Sequence, residues 1–362
     1  MKTIHSKEPS SENILLGLLK TLAILLGVFR TLLLRAVLLL LSYVVPKNNR
    51  LLFFSSVGNY KFPLWKDEQD FQFKESPKYL AIYSAGKLKN FVTVFHIPNK
   101  KLFSEIRKLE IRPTKGLRAL GYMLRARYIF IDNKNSFNPN ASFLKGRFRI
   151  IQCWHGTPLK KMGEDKKHGW LTRLRLEYAI SSCEHSTQIF RKLLQTENIL
   201  EIGYPRNDIL FNPEFFSCEN IDKKLNLPGF AKVFLYAPTH RMRGRAFNPF
   251  DKQFLQKRNT ATGRKLDMAV NPFDRQFLKS LNEWLRENNY LFLIKQHPYV
   301  KSTEGLEQFS NINDASGINQ DIQELLIHTD LFICDYSSTL FDFVLTGKPI
   351  IFYPYDHKKY AE

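Results

Sequence analysis

From residue 51 onward, short apolar runs alternate with longer helical patterns, and this alternation limits the fold more than any other feature of the sequence. Runs typical of β-strands are Leu51–Ser55, Tyr79–Tyr83, Phe91–Phe95, Tyr128–Asp132, Arg149–Trp154, Tyr178–Ser182, Val233–Ala237, Tyr290–Lys295, Leu331–Asp335 and Pro349–Tyr353. Helical patterns lie around residues 101–110, 117–126, 186–195, 272–287, 320–328 and 338–346. The alternation predicts the α/β class, with parallel sheets covered by helices on both faces.

The predicted strands are too numerous for one sheet, and the chain breaks near Gly203–Arg206 into two comparable parts. A length of 362 residues also suggests about two domains. We therefore predict two facing Rossmann-like domains with a cleft between them, over residues 51–205 and 206–362, preceded by a separate segment at residues 1–50.

Residues 240–280 form a basic insertion with ten Lys and Arg against three Asp. Within it, Asn248–Leu255 recurs almost unchanged as Asn271–Leu278. Two copies are too few for a repeat fold, since stacked repeats need three or more. We predict a basic, mobile flap; a tandem duplication without function is the alternative.

The net charge of +20 indicates acidic partners, which are nucleic acid, anionic lipid or phosphorylated substrates. The sequence has no signature of a nucleic-acid-binding module, so we predict no nucleic-acid partner. The four cysteines contain no CxxC pair, and their spacing indicates neither zinc ligands nor a disulfide framework; they are Cys153, Cys183, Cys218 and Cys334. A reducing, cytosolic compartment fits this pattern.

Residues 14–45 are rich in Leu, Ile and Val but are interrupted by Lys20, Arg30 and Arg35. The uncharged runs between these charges are well short of the ~20 residues that a spanning helix needs. On a helix, most of the polar and basic residues fall on one side. We predict an amphipathic helix in the interface of an anionic membrane, which makes the protein peripheral (monotopic) on the cytoplasmic face. A transmembrane span is the alternative.

Two histidines, His155 and His297, each end a strand-like run. Open α/β sheets bind ligands at the carboxyl ends of their strands. A histidine placed there, beside a lysine and a Gly or Pro turn, accepts a proton or contacts an anion. Structural histidines that bond only to the backbone are the alternative, although two in the same context favour a site.

The strand Leu331–Asp335 leads through Tyr336–Thr339 into a helical pattern. Ser or Thr at a helix start caps the helix, and the free N–H groups there bind phosphate. Ordinary capping is the alternative. Two earlier strands of the same half end in Ala237–Arg241 and Lys295–Pro298. The three strand ends predict a phosphate site formed by Thr239, Arg241, His297, Ser337 and Ser338.

Four ordered motifs resemble those of the CDP-glycerol glycerophosphotransferases, the family of teichoic acid primases and polymerases with ribitol-phosphate relatives. The motifs are His155–Lys160, Tyr236–Arg241, Lys295–Pro298 and Asp335–Ser338, with looser matches at Phe54–Ser56, Ser76–Leu80 and Ala126–Asn133. The resemblance covers residues 51–357. It implies a GT-B-type fold and transfer of a polyol phosphate from a CDP-activated donor, with no cofactor and no active-site metal.

Carried over residue by residue, the resemblance implies two catalytic histidines. His155 would be the general base on the acceptor hydroxyl, and His297 would lie with the donor phosphate as an anion contact or leaving-group partner. Residues 51–205 would bind the acceptor, and residues 206–362 the CDP donor. The implied substrate-binding residues are Gly156, Thr157, Lys160, Arg206, Thr239, Arg241, Lys295, Asp335, Ser337, Ser338 and Thr339.

The implied reaction moves glycerol phosphate, or a related polyol phosphate, from CDP-glycerol or CDP-ribitol to a lipid-linked glycan acceptor in teichoic-acid-like or capsule polymer synthesis. Two alternatives stay open, a GT-B glycosyltransferase that uses a nucleotide sugar and a non-catalytic membrane-associated protein. Members of the family usually continue for some tens of residues beyond this point, so a chain that stops at Glu362 is expected to be truncated at its carboxyl terminus.

Overall fold

The computed structural model describes residues 29, 32–33, 36–56, 73–97, 99–132, 147–159, 176–194, 196–216, 225, 227–239, 275–296, 306–316 and 321–354. Within these residues the chain forms two parallel β-sheets with helices packed against them.

The first sheet has seven strands, in the order β3-β2-β1-β4-β5-β6-β7. They are β1 Asn48–Ser55, β2 Val92–His96, β3 Arg112–Thr114, β4 Ala126–Ile131, β5 Arg149–Gln152, β6 Tyr178–Ser181 and β7 Ile199–Glu201. All pairings are parallel, and Phe54 lies opposite Phe95 on one side and Phe130 on the other. We refer to residues 48–201, which carry this sheet, as the amino-terminal half.

The second sheet has five strands, in the order β10-β9-β8-β11-β12. They are β8 Lys232–Ala237, β9 Tyr290–Ile294, β10 Ile312–Asp314, β11 Leu331–Cys334 and β12 Ile350–Phe352. Residues 232–352 are the carboxy-terminal half. Counted from its own first strand, each sheet begins with the doubly wound order 3-2-1-4-5, so the strand order reverses between β1 and β4 and again between β8 and β11. Ligands bind outside such switch points.

The helices are α1 Glu75–Lys87, α2 Phe103–Lys108, α3 Gly116–Arg125, α4 Glu184–Leu194, α5 Pro213–Phe216, α6 Arg275–Glu287, α7 Ile322–Ile327 and α8 Thr339–Val344. Short 3₁₀ helices span Lys100–Leu102, Pro205–Leu210 and Leu227–Gly229. Along β1, Leu51 and Phe53 pack in one core cluster, whereas Leu52 and Phe54 pack in another. Both faces of the strand are therefore buried, as is usual for parallel sheets.

The predicted α/β class with parallel sheets is confirmed. One predicted strand is wrong, because Tyr79–Tyr83 lies inside α1. Helix α1 buries polar as well as apolar residues, including Ser76 and Lys78. A helix covered on several sides lacks an apolar stripe with a 3.6-residue period, so its short apolar run resembled a strand.

Three strands escaped prediction, and all three are short edge strands: β3, β7 and β10. Strand β3 contains Pro113, which has no backbone N–H to donate and is tolerated only at an edge. Three-residue strands with polar residues carry too little of the alternating pattern to be recognised. The predicted domain boundary after residue 205 falls between the two sheets, inside the 3₁₀ helix Pro205–Leu210, and it stays a prediction.

Residues 36–44 form a helix, here called the amino-terminal helix, that packs against the core of the first sheet through Leu39. Leu38 and Ser42 are buried, and the helix is tied down by Arg147, which donates to the Ser42 carbonyl oxygen at 2.8 Å. Its opposite face is apolar and exposed, with Leu40 64% and Val44 70% exposed. In the described part of the chain, no helix combines the length and apolarity needed to cross a bilayer. Lys20, Arg30 and Arg35 lie outside the described residues.

Candidate active site

The loop after β5 presents His155 to solvent in a fixed orientation. The His155 ring is exposed, and its Nδ1 lies 2.9 Å from the carbonyl oxygen of Asp132. A carbonyl oxygen only accepts hydrogen bonds, so Nδ1 carries the proton and Nε2 of the neutral ring is an acceptor. The Trp154 ring stacks on the imidazole with centroids 4.6 Å apart. This geometry suits a general base that receives a proton on Nε2.

The backbone of this loop is unusual on both sides of His155. Trp154 has φ +55° and Gly156 has φ +127°, and the second value lies in a region that side-chain-bearing residues rarely adopt. A Cβ added to Gly156 would lie 2.5 Å from Arg206 Nη2 and 3.5 Å from Ser338 Oγ. The glycine therefore lets this loop approach both residues closely.

Asp132 supports the histidine from the first switch point. It directly follows β4, and its Oδ2 accepts a hydrogen bond of 2.7 Å from the Ser56 hydroxyl, which follows β1. Both side chains are 3% exposed. Because a buried hydrogen bond of this kind fixes the loop after β4, it also fixes the carbonyl that orients His155.

The second switch point repeats this arrangement with different residues. Asp335 directly follows β11, is completely buried, and its Oδ1 accepts hydrogen bonds from the backbone N–H groups of Thr239 at 2.8 Å and Tyr336 at 2.6 Å. Thr239 comes from the loop after β8. In each half, then, an aspartate after the fourth strand holds a hydroxyl residue from the loop after the first strand.

The serine loop between β11 and α8 is half-buried. The Ser337 hydroxyl accepts from the Thr339 backbone N–H at 3.4 Å and so holds the turn that leads into α8, whereas Ser338, at the N-cap position, makes no side-chain capping bond. Ser338 Oγ lies beside Gly156, as the position of an added Cβ shows. The loops that carry His155 and Ser338 thus come from different halves of the molecule and lie against each other.

Lys295 directly follows β9, so it lies at the same edge of the second sheet as Thr239 and Asp335, where the strands end. Its Nζ donates to the carbonyl oxygen of Ala315 at 3.0 Å. Burial, helped by the nearby positive charge of Lys74, lowers the pKa of Lys295 to about 8. Lys295 is therefore a cation at pH 7 that loses its proton at a moderately alkaline pH.

Arg206 is 3% exposed, and both ends of its guanidinium are used in ion pairs. Nη1 donates to Glu75 Oε2 at 2.6 Å, and Nη2 donates to Asp342 Oδ2. Burial alone would lower the pKa of Arg206, but the carboxylates of Asp342 and Glu75 outweigh it and raise that pKa.

Residues 47–362 match the family model described as CDP-Glycerol:Poly(glycerophosphate) glycerophosphotransferase. The chain belongs to this glycerophosphotransferase family. It is 30% identical over 312 residues to the teichoic acid poly(glycerol phosphate) polymerase of Staphylococcus epidermidis, a match that covers 80% of this chain and 39% of that protein. The identity to the polymerase of the same description from Bacillus spizizenii is 29%, over 88% of this chain and 77% of the relative.

The wall teichoic acid polymerase TagF, whose structure is solved, has a similar fold. The TM-score is 0.61 at 25% identity, and the match covers 87% of this chain and 72% of that one. The chain therefore spans most of the TagF structure but well under half of the Staphylococcus epidermidis polymerase.

The structure describes only part of the site that was predicted for this member of the glycerophosphotransferase family. It brings Gly156, Arg206 and Ser338 together and joins Thr239 to Asp335. Thr157 shares a hydrogen bond of 3.0 Å with Ser182, which follows β6. His297, Lys160 and Arg241 lie outside the described residues, as does nearly all of the basic insertion. The roles of all these residues therefore stay predictions.

Among the described residues, no group of His, Cys, Asp and Glu side chains is arranged to hold a metal ion. The expectation that the family reaction needs no metal stays a prediction.

Sequence reasoning missed the paired charges beside the site, most of which are buried. These are Glu75 and Lys78 on α1, Asp321 and Glu324 near α7, and Asp342 on α8. Lys78 and Glu324 are 246 positions apart in the chain, so no local pattern could pair them. Asp132 had a usable signal, because it is an acidic residue directly after a buried strand.

Proposed function

We propose that this family member transfers glycerol phosphate, or a related polyol phosphate, from a CDP-activated donor to a hydroxyl of a lipid-linked glycan in the synthesis of a teichoic-acid-like polymer. The observation that carries the proposal is the contact between the His155 loop and the Ser338 loop. A base on one half and anion-binding groups on the other then meet at one place, within a chain whose family transfers polyol phosphates.

In the proposed reaction, the acceptor hydroxyl gives its proton to His155 Nε2 while its oxygen attacks the phosphorus that carries the glycerol. The bond from this phosphorus to the bridging oxygen of the diphosphate breaks, and CMP leaves with the electron pair. Transfer of this kind depends mostly on positioning and on stabilising the phosphate charge. The Asp132 carbonyl contributes by holding Nε2 toward the acceptor.

The donor phosphates would lie against the half-buried serine loop and near Lys295. Ser338, Thr339 and Thr239 supply hydroxyl donors, and Lys295 supplies a positive charge at pH 7. His297 and Arg241 complete the donor site in this proposal, and Lys160 lies with the acceptor. Three more of the predicted residues would support the site from beneath: Asp335 and Thr157 through their partly buried hydrogen bonds, and Ser337 through its hydrogen bond with the Thr339 N–H at the start of α8.

The likeness to TagF supports a GT-B arrangement for the two halves. In it, residues 51–205 bind the acceptor and residues 206–362 bind the CDP donor. Both sheets begin with the doubly wound strand order. Ligands of such sheets bind at the switch point, outside the carboxyl ends of the strands.

The amino-terminal helix supports attachment to the cytoplasmic face of a membrane. It packs against the core of the first sheet through Leu39 and exposes an apolar face that water does not favour. That face includes Val37, Leu40, Leu41, Tyr43 and Val44. Burying it in the interface of an anionic leaflet, with Lys20, Arg30 and Arg35 among the headgroups, would place the protein beside its lipid-linked acceptor.

Incubating the full chain and a lipid-linked acceptor with radiolabelled CDP-glycerol, CDP-ribitol or a UDP-sugar tests the proposed reaction. We expect label transfer from a CDP-polyol with stoichiometric release of CMP. Transfer from the UDP-sugar alone would instead support a glycosyltransferase, and the absence of transfer from every donor would support a non-catalytic membrane protein.

A further inference from the structure

A network of buried ion pairs joins the two halves beside the site. Lys78 on α1 pairs with Glu324 on α7 and lies 3.5 Å from Asp321. Arg206, in the segment that connects the halves, pairs with Asp342 on α8 and with Glu75 at the start of α1. Except for Glu75, these side chains are at most 6% exposed. Buried charges are costly unless they are well paired, so the network fixes the geometry of its partners.

Asp342 is the point at which several elements meet. Its carboxylate accepts from Arg206, from Asn207 Nδ2 at 2.8 Å and from Gln323 Nε2 at 3.2 Å. These donors come from the connecting segment and from α7, while Asp342 belongs to α8, the helix that begins at the serine loop. A displacement of Arg206 would therefore be transmitted to the start of α8.

The other side of Arg206 touches the loop that carries the base. Its Nη2 occupies the space that a side chain would need at Gly156, which directly follows His155. The same guanidinium thus contacts the base loop and, through Asp342, the donor-side helix.

The start of α1 is strained and held in place by the carboxy-terminal half. Glu75 has φ +60° although it carries a side chain, and its N–H donates to Asp321 Oδ1 at 3.1 Å. Left-handed conformations in such residues persist only where their surroundings enforce them. Glu75 is also the second partner of Arg206, so the strained residue belongs to the same junction.

We propose that Arg206 is a positioning residue that sets the distance between the His155 loop and the Ser338 loop, rather than the substrate contact that the resemblance implies. Nη1 and Nη2 are both engaged with carboxylates. Nε is buried and has no hydrogen-bond partner among the described residues. The side chain is therefore enclosed by protein and bridges two parts of the site. This inference rests on the proposed transfer reaction.

The test compares Arg206→Lys with Asp342→Asn in the full chain. A lysine keeps the charge but cannot hold two carboxylates in one planar geometry. In each variant we expect kcat for transfer from CDP-glycerol to fall roughly 100-fold, which is the effect of a small misplacement of the reacting groups. The Kd for CDP-glycerol, measured by calorimetry, should change by less than about threefold. A change of that size is only a small part of the binding free energy.

The two variants should also be coupled. Since both disrupt one contact, the double variant should lose little more kcat than either single variant. If Arg206 contacted the substrate instead, Arg206→Lys would weaken donor binding and Asp342→Asn would not. A Kd raised about tenfold or more by Arg206→Lys, together with an unchanged Kd in Asp342→Asn, would overturn the proposal.

A second measurement does not depend on activity. Lys192 on α4 and Glu283 on α6 are exposed and belong to different halves, so spin labels on unnatural amino acids at these positions report the distance between the halves. We expect one narrow distance distribution in the parent chain and a broader or shifted one in Arg206→Lys. An unchanged distribution would overturn the positioning role. A parent chain that transfers nothing would refute the proposed function but leave this distance test intact.

Discussion

At the scale of single residues, the orientation of His155 depends on a backbone carbonyl. Asp132 supplies that carbonyl, and the Ser56 hydroxyl holds the Asp132 carboxylate beneath it. The side chain that performs the proton transfer in our proposal is thus exposed, while the groups that orient it are buried.

Lys295 makes donor binding depend on pH. Its pKa of about 8 in the free protein should rise when the donor phosphates bind, because an opposite charge favours the protonated amine. Binding then takes up a proton, and affinity falls as the pH rises through 8. We expect the Kd for CDP-glycerol to be roughly tenfold higher at pH 9 than at pH 7.

The matched control is Lys295→Arg, which stays protonated throughout this range. Its Kd for CDP-glycerol should be nearly constant between pH 7 and pH 9. If the pH dependence persists in Lys295→Arg, another group is responsible and Lys295 does not hold the donor.

At the scale of elements, the amino-terminal helix has its apolar face on the outside, the reverse of a helix on a water-exposed surface. Leu40 and Val44 lie one turn apart on that face and are among its most exposed side chains. Each such side chain contributes about 1.5–3 kcal/mol when fully buried.

We expect Leu40→Asp with Val44→Asp to weaken binding to vesicles that contain anionic lipid by roughly 100-fold or more, measured by co-sedimentation. Added salt should weaken the parent chain only partly, because screening does not act on apolar burial. Ile202→Asp is the control, since Ile202 is 69% exposed but lies elsewhere, after β7. Equal loss in the control, or no loss in the double variant, would contradict attachment through this helix.

At the scale of the whole molecule, the sequence predicts the central strands well and their surroundings poorly. Buried strands such as β1 and β8 contain an uninterrupted apolar run, which is a strong local signal. Edge strands such as β10 lack the apolar pattern typical of a strand, and the buried helix α1 lacks the apolar stripe typical of a helix. The positions of His155 and Ser338 at strand ends followed from the parallel topology.

Contacts between distant parts of the chain could not be predicted. Arg206 and Asp342 are 136 positions apart, and their pairing depends on how the two halves meet. The family resemblance indicated Arg206 as a site residue, but its burial between Gly156 and Asp342 could not be predicted. A motif therefore locates the site without showing which of its residues face the substrate.

The central claim is that His155 is the base in a CDP-dependent glycerophosphotransferase. Its most direct test is turnover of CDP-glycerol by His155→Ala, with donor Kd measured on the same preparation. We expect kcat to fall about 10²- to 10⁴-fold, the range of general base catalysis, while the donor Kd is preserved. His185→Ala, an exposed histidine on α4, should keep full activity. Near-normal turnover by His155→Ala would contradict the claim.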